Sequence, residues 1–252
     1  MSKKQSPTII AALNGNRLKS DHPKIPVTSE ELVKSAIESV HAGAKEIHFH
    51  VRDREGNESL HSYFVEEQVK AIKRALPNIP VGISTGQWIE PDLNRRITLI
   101  RNWEFLPDFV SVNGNEEGSD SIIIELLEKG IAIEAGVSDL QAAKFYADSN
   151  RLAHCFRILL EPGEQKLPAA MDNLKLMEDY LSPAWGGKSI LLHGLDRSCW
   201  SILDEAIKKG YDLRTGFEDT LWLRTGEIAQ SNGELVGEAV SAFGKHHFPL
   251  IS

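Results

Sequence analysis

Short apolar runs alternate with longer segments of helical periodicity along this chain, and each kind occurs eight times. Strands are predicted at residues 8–14, within 46–53, and at 81–85, 109–113, 131–137, 156–161, 189–195 and 212–218. Helices are predicted at about residues 28–42, 63–75, 90–102 and 119–129, from 138–139 onward, and at 168–180, 198–209 and 232–243. Strands and helices that alternate without a hairpin signal are typical of a parallel sheet covered by helices.

This alternation predicts an α/β protein, and specifically a (β/α)8 TIM barrel that forms a single domain over residues 1–252. A chain of 252 residues has the usual size for that fold. The competing fold is a doubly wound open sheet. The first strand disfavours it, because no Gly-x-Gly-x-x-Gly turn follows that strand.

The charge and the cysteine content limit the expected partners and compartment. A formal net charge of −8 argues against a nucleic-acid partner. The sequence shows neither a signal-peptide core nor an apolar stretch of ~18 residues, which predicts a cytoplasmic protein without membrane contact. Cys155 and Cys199 are too few for a disulfide framework, and we expect both to be ordinary buried or half-buried thiols.

The second strand carries a pair of histidines two residues apart. Because side chains alternate along a strand, His48 and His50 share one face, while Ile47, Phe49 and Val51 share the other. Two imidazoles on one face, backed by an apolar face, are suited to hold one divalent metal ion. A lone histidine elsewhere in the chain is more simply a hydrogen-bonded structural residue.

Polar residues gather near the carboxyl ends of the predicted strands, where barrel enzymes place their reactive groups. They are Arg17, His48, His50, Ser84, Thr85, Gly86, Ser111, Asn113, Glu134, Glu161, His193, Arg214, Glu218 and Asp219. The segment 84–86 could instead cap the next helix. Glu134 and Glu161 could instead form ion pairs with Arg157 inside the barrel.

Glu218 is the best candidate for a third metal ligand. Strand eight lies beside strand one in a closed barrel and therefore about 10 Å from the histidine strand, a gap that inward side chains can bridge. Two histidines and one carboxylate, with a position left open, are a common catalytic Zn²⁺ set. Arg214 lies four residues earlier on the same predicted strand face, with Gly216 between, and can hold a carboxylate such as Asp219.

Four segments together carry a family resemblance. They are residues 43–53 with the run His48-Phe49-His50-Val51-Arg52-Asp53, residues 83–86, residues 214–221, and residues 231–236. With these segments in this order, the chain resembles the β-keto acid cleavage enzymes over nearly its whole length. The 3-keto-5-aminohexanoate cleavage enzyme is the named type of that family.

The resemblance implies a Zn²⁺-dependent barrel that condenses a β-keto acid with acetyl-CoA, giving acetoacetate and a new acyl-CoA. The implied zinc ligands are His48, His50 and Glu218. The residues implied in deprotonating the keto acid are Asp219, Arg214 and Ser84. The residues implied in holding the substrate's carboxylate are Ser111 and Asn113, with Thr85 and Gly86 close by. Homo-oligomers are the family expectation.

The chain departs from the type enzyme after the first strand. The type enzyme has an acidic residue there that meets its substrate's amino group, whereas this chain has Arg17. This predicts a substrate whose side chain is neutral or anionic, although Arg17 could instead contact the phosphates of CoA. His193 and Glu134 are expected to line the same pocket. The alternatives are a zinc hydrolase on the same barrel and a catalytically silent, metabolite-binding barrel.

Overall fold

A computed structural model describes the backbone of residues 7–247 and the side chains of residues 7–245. Within residues 7–247, eight parallel strands pair in chain order and close on themselves, with β1 bonded to both β2 and β8. The strands are β1 Ile9–Ala12, β2 Glu46–Phe49, β3 Val81–Ser84, β4 Phe109–Asn113, β5 Ala132–Val137, β6 Arg157–Leu160, β7 Ser189–Leu192 and β8 Asp212–Thr215. The predicted TIM barrel is confirmed, and the open-sheet alternative is wrong.

Within the described part of the chain, eight α-helices follow the strands and cover the barrel. They are α1 Ser29–Ala42, α2 Ser62–Ala75, α3 Leu93–Arg101, α4 Ser119–Glu128, α5 Leu140–Asp148, α6 Leu167–Leu181, α7 Cys199–Lys209 and α8 Asn232–His247. Among the described residues, no helix is long and apolar enough to cross a membrane. The predicted single domain, residues 1–252, includes residues 1–6 and 248–252, which lie outside the described residues.

Local sequence signals account for several helix ends. Thr28 caps α1: its side chain accepts a hydrogen bond from the backbone N–H of Glu31, and the side chain of Glu31 accepts one from the backbone of Thr28, which completes a capping box. Gly43, at a φ of 122°, ends the same helix. Helix α3 begins later than predicted, because Asp92 accepts a hydrogen bond from the backbone of Arg95 and acts as its N-cap. Residues 84–86 therefore do not cap α3.

Strand β8 is shorter than predicted and ends at Thr215. At Gly216 the chain passes so close to β1 that an added Cβ would lie 2.0 Å from the carbonyl oxygen of Ala12, so only glycine fits. The side chain of Asn232 accepts the backbone N–H of Phe217 at 2.6 Å and fixes this exit. Glu218 therefore lies on the loop after β8, and its expected place on the strand beside Arg214 is corrected.

The inward residues of β6 show how the barrel interior is layered. Arg157, at the start of the strand, is buried and pairs with Glu134 at 2.6 Å and with Glu46 at 2.8 Å. Leu159 packs with Ile10 and Leu191 in an apolar layer above that ion group. Beyond that layer the barrel opens into the cavity described below. Glu134 is on the closed side of the apolar layer, so the expectation that it lines the pocket is wrong and the ion-pair alternative holds.

Candidate active site and metal centre

A cavity of about 490 Å³ opens at the carboxyl ends of the strands. The predicted site residues that line it are His48, His50, Ser84, Ser111, Asn113, His193, Arg214 and Glu218. Leu159 also lines the cavity, so the apolar layer to which it belongs forms part of the cavity floor. The position matches the end at which barrel enzymes carry out their chemistry.

The three predicted metal ligands lie together in this cavity. One potential ligand atom from each of His48, His50 and Glu218 lies within 4.8 Å of the other two. The distance from Nε2 to the nearer carboxylate oxygen of Glu218 is 3.6 Å for His48 and 3.3 Å for His50. Glu218 Oε2 is buried and has no hydrogen-bond partner among the described residues. Two imidazoles and a carboxylate with an unused oxygen therefore fit one divalent ion with positions left open.

Two residues after β1 set the positions of these ligands. The side-chain oxygen of Asn14 accepts the backbone N–H of His50 at 2.8 Å, and its amide nitrogen donates to the carbonyl of His50 at 3.0 Å. These bonds hold His50 just beyond the end of β2. At Gly15, an added Cβ would lie 2.4 Å from Cγ of Glu218. A glycine is therefore required there for the carboxylate to reach the histidines.

Glu58 contacts a residue of the candidate metal centre, and the sequence analysis did not identify it. Its Oε1 lies 2.5 Å from Nδ1 of His50, and its carboxylate accepts the indole N–H of Trp88 at 3.0 Å. The Trp88 ring stacks on the imidazole of His50, with 6.1 Å between ring centroids. A hairpin turning at Gly56 brings Glu58 back beside Arg52. A turn signal directly after the histidine strand could have pointed to it.

The two histidines differ in charge in the metal-free protein. Burial lowers the pKa of His48 to about 3, despite the nearby Glu218 carboxylate. Burial also disfavours charge on His50, but the carboxylates of Glu218 and Glu58 outweigh it and raise the pKa of His50 to about 9. A carboxylate on Nδ1 leaves Nε2 of His50 facing Glu218, which is the arrangement that orients a metal-binding imidazole.

We expect Glu58→Gln to weaken divalent-metal binding by about 10- to 100-fold, because the amide orients the His50 ring less strongly than the carboxylate does. Competition with a chromophoric chelator measures the affinity. Glu55→Gln is the matched control, since Glu55 is an exposed glutamate of the same hairpin. Equal affinities for the two variants would show that the Glu58 contact does not support the metal.

Arg214 connects the candidate metal ligand Glu218 to a second buried carboxylate. Its guanidinium donates to Glu218 and to Asp219, the latter at 2.9 Å. Both carboxylates have pKa values below their usual range; burial opposes this, and the Arg214 charge is the largest cause of the lowering. Asp219 is 0% exposed and does not line the cavity. The role of Asp219 in deprotonating the keto acid stays a prediction, and its burial means that it would act through the residues it contacts.

His193 links Asp219 to the cavity. Its Nδ1 lies 3.2 Å from Asp219 Oδ1, and its Nε2 lies 3.4 Å from Glu161 Oε2. Both His193 and Glu161 line the cavity. Burial and the Arg214 charge lower the pKa of His193, but the two carboxylates outweigh them and raise the pKa to about 9. Glu161 thus contributes to the cavity, and its alternative as an ion-pair partner of Arg157 is wrong.

The raised pKa of His193 predicts a pH-dependent stability. A group whose pKa is higher in the folded chain stabilises it fully below its unfolded pKa, and that contribution is lost as the pH rises through the folded value. In chelator-treated protein, the gap in unfolding free energy between the wild type and His193→Asn should be largest below about pH 6.5 and shrink through about pH 9. Urea unfolding across that range measures it. A gap that widens with pH would contradict the charged imidazole.

Two other predicted residues, Thr85 and Gly86, lie behind or beside the cavity wall. Thr85 is buried and its hydroxyl donates to the carbonyl of Ser111 at 2.8 Å. Gly86 donates its N–H to Ser84 Oγ at 3.2 Å, and an added Cβ there would lie 2.3 Å from the Trp88 ring. Neither lines the cavity, so their expected contact with the substrate is corrected to a role in shaping the wall.

Arg17 is also absent from the cavity wall. Its Nη2 lies 2.5 Å from Asp196 Oδ1, and its Nε donates to the backbone carbonyl of Glu218 at 3.4 Å. Its charge is thus paired within the protein. The expectation that Arg17 lines the substrate pocket is therefore corrected. The neutral or anionic substrate side chain and the alternative contact with the phosphates of CoA stay predictions.

The wall formed after β4 carries a carboxylate that the sequence analysis missed. Glu116 lines the cavity and accepts the side-chain N–H of Asn113 at 2.7 Å and the backbone N–H of Gln87 at 2.8 Å. Burial raises the pKa of Glu116. The polar run 113–116 follows a predicted strand, so its extension past Asn113 was the available signal.

Neither cysteine contributes a reactive thiol. Cys155 and Cys199 are both buried and unpaired, as the sequence predicted. Burial raises the pKa of Cys155 to about 12 and also raises that of Cys199. Thiolates at neutral pH are therefore disfavoured at both positions.

Comparison with known families and curated proteins gives matches over most of the chain. The model of the family described as "beta-keto acid cleavage enzyme" matches residues 7–252. The 3-keto-5-aminohexanoate cleavage enzyme of Fusobacterium nucleatum is 27% identical over 250 residues, covering 92% of this chain and 89% of its own. The enzyme of the same name from Acetoanaerobium sticklandii is 27% identical over 252 residues, with the same coverage.

Solved structures give the same fold at low sequence identity. ObcA, in a ternary complex with a C4-CoA adduct and oxalate, superposes with a TM-score of 0.76 at 15% identity and covers 89% of this chain. The present chain spans only 65% of the ObcA chain. A type I 3-dehydroquinate dehydratase from Clostridium difficile superposes with a TM-score of 0.61 at 13% identity, covering 96% of this chain and 92% of its own.

Proposed function

The chain belongs to the β-keto acid cleavage enzyme family, and on that premise we propose that it uses Zn²⁺ to condense a β-keto acid with acetyl-CoA. The products are acetoacetate and a new acyl-CoA. The reaction begins when the carbon between the carboxylate and the keto group loses a proton. That carbon attacks the thioester carbonyl and displaces the CoA thiolate. The thiolate then attacks the original keto carbon and breaks the carbon–carbon bond, and the carbanion released takes up the proton removed in the first step to give acetoacetate.

The observation that carries this proposal is the ligand group at the base of an open cavity. His48, His50 and Glu218 converge at the carboxyl end of the barrel, beside the cationic Arg214. A zinc ion held by these three residues would supply a Lewis acid that stabilises the enolate form of the keto acid. Because the leaving thiolate belongs to CoA, the reaction requires no cysteine of the protein.

The cavity wall offers hydrogen-bond donors for the substrate's oxygens. The hydroxyl of Ser84 already accepts the N–H of Gly86, which leaves its own O–H available to donate into the cavity. Ser111 and Asn113 lie on the adjacent wall, and the contact of Asn113 with Glu116 fixes the orientation of its amide. We assign these donors to the substrate's carboxylate and keto oxygen.

The proton from the substrate is assigned to the Asp219–His193–Glu161 chain. Glu161 and His193 are the members that reach the cavity, and Glu161 is the carboxylate available to accept a proton there. Asp219 lies behind them, where it holds His193 on one side and Arg214 on the other. In this scheme Asp219 is a positioning residue that acts through its two neighbours.

A screen of β-keto acids with acetyl-CoA tests the proposal, using protein whose metal content has been measured. Mass spectrometry should detect acetoacetate and a new acyl-CoA with at least one keto acid, and a chelator should abolish both. A zinc hydrolase would instead release free CoA and acetate without any keto acid. A silent binding barrel would bind keto acid without turnover. Either result would overturn the proposal.

We also propose that residues 1–252 form one domain and that the protein works in the cytoplasm as a homo-oligomer. The closed barrel, which includes every α-helix and strand of the described chain, supports the first part. Family membership supports the others. Sedimentation analysis of the full chain measures the oligomeric state.

A further inference from the structure

A second cavity of about 930 Å³ lies beside the active site, between the loops that follow β7 and β8. We propose that this groove, lined by Asp196, Arg197, Trp200, Trp222 and Arg224, binds the phosphorylated adenosine end of acetyl-CoA. The inference rests on the proposed function, which makes acetyl-CoA the co-substrate. It assigns that co-substrate a place on this chain.

The groove presents an aromatic surface suited to a purine base. Trp222 is 47% exposed and stands on a short hairpin in which it bridges to Ile228. The indole N–H of Trp200 donates to the backbone carbonyl of Trp222 at 2.8 Å, which fixes the base of that hairpin. A large exposed ring on a fixed support is a stacking platform, and stacking on such a ring tolerates any base.

The charges of the groove suit an anionic ligand. Among the described residues, the exposed Arg197 forms no ion pair. Two carboxylates at the groove are already paired with cations: Asp196, which lines it, pairs with Arg17 at 2.5 Å, and Asp204 pairs at 2.7 Å with Arg224, which also lines it. Arg224 also lies over the ring of Trp200, with 4.8 Å from its guanidinium carbon to the ring centroid. The free cation of Arg197 therefore remains available for phosphate.

One short segment joins the groove to the active-site cavity. Leu195 lines the cavity, whereas the next two residues, Asp196 and Arg197, line the groove. The backbone N–H of Asp196 donates to the carbonyl of Asp219 at 2.6 Å, which holds the segment against the β8 loop. A ligand with its nucleotide in the groove can thus extend over Leu195 and place a thioester in the cavity. Phosphate sites of barrels frequently lie at the loops after strands seven and eight.

Binding of adenosine 3′,5′-bisphosphate to the full-length protein tests the groove without requiring turnover. Titration calorimetry should show that the wild type binds this probe and that Trp222→Ala and Arg197→Glu each weaken binding by roughly tenfold to hundredfold. The matched controls are Tyr63→Ala and Arg74→Glu, which change an exposed ring and an exposed cation on α2. Unchanged binding in both groove variants would overturn the assignment. Because Arg197 is exposed, its variant keeps the test valid even if Trp222→Ala fails to fold.

Steady-state kinetics separate this inference from the proposed function. Both groove variants should raise the KM for acetyl-CoA with little change in kcat, whereas acetyl-pantetheine, which lacks the nucleotide, should serve all proteins equally. If the protein catalyses condensation but neither variant changes the KM for acetyl-CoA, the groove assignment is overturned and the proposed function stands. Probe binding that depends on Trp222 and Arg197, in a protein without condensation activity, would support the groove and overturn the proposed function.

Discussion

Replacing both imidazoles in His48→Ala/His50→Ala should remove the bound divalent ion and lower kcat/KM for condensation by about 10³-fold or more. Two of the three converging ligands are lost, and a single carboxylate does not hold a divalent ion with useful affinity. A Lewis acid contributes several kcal/mol to stabilising charge in the transition state, and each 1.36 kcal/mol corresponds to about a factor of ten. Metal content by mass spectrometry and initial rates of acyl-CoA formation measure the two effects.

The matched control is His154→Ala, which removes an exposed histidine in the short turn Arg151–His154, before β6. It should retain both metal and activity. Glu218→Gln provides a second test of the centre, because it keeps the volume of the third ligand and removes its charge. Full turnover or full metal content in the double histidine variant would refute the metal centre.

Arg214→Ala should lower the free energy of unfolding by about 3–5 kcal/mol, because it leaves two carboxylates in the barrel without their shared cation. Arg214 is 3% exposed and Asp219 is fully buried, so water cannot replace the lost contacts. Arg214→Lys keeps the charge but loses the forked geometry, and should show an intermediate loss. Urea unfolding of chelator-treated protein measures the free energy of unfolding of the wild type, Arg214→Ala and Arg214→Lys.

The loss of stability in Arg214→Ala should depend on pH in a definite direction. Arg214 lowers the pKa of Asp219 and of Glu218 in the folded protein. Their contribution to stability is therefore present above their unfolded pKa of about 4 and is lost as the pH falls through the folded values. The difference in unfolding free energy between the wild type and Arg214→Ala should accordingly become smaller at acidic pH.

Arg151→Ala is the control for Arg214, since Arg151 pairs with the half-exposed Asp120 on the surface. Surface pairs of this kind contribute about 0–1 kcal/mol. An equal loss of stability in the two variants, or a gap that widens in acid, would show that Arg214 does not compensate the buried carboxylates.

Glu58 and Glu116, which the sequence analysis missed, both owe their positions to side-chain contacts that loops create. Glu58 reaches His50 only because a hairpin turns at Gly56, and Glu116 reaches Asn113 only through the turn after β4. Neither residue lies in a periodic segment or in a spacing that marks a ligand. Their positions depend on turn geometry that several sequences can adopt.

The sequence by itself determined the eight alternating strands and helices and the histidine pair at a strand end, because periodicity and side-chain chemistry are local properties. The tertiary structure alone decided which polar residues face the cavity. Register and closure place Glu134 beside Arg157 below the apolar layer, and they place Glu161 above it. Register and closure also bring Asp196 to Arg17, 179 positions away in the sequence, and this contact pairs the charge of Arg17. Height within a barrel and partners across it are set by strand pairing, and strand pairing is not a local property.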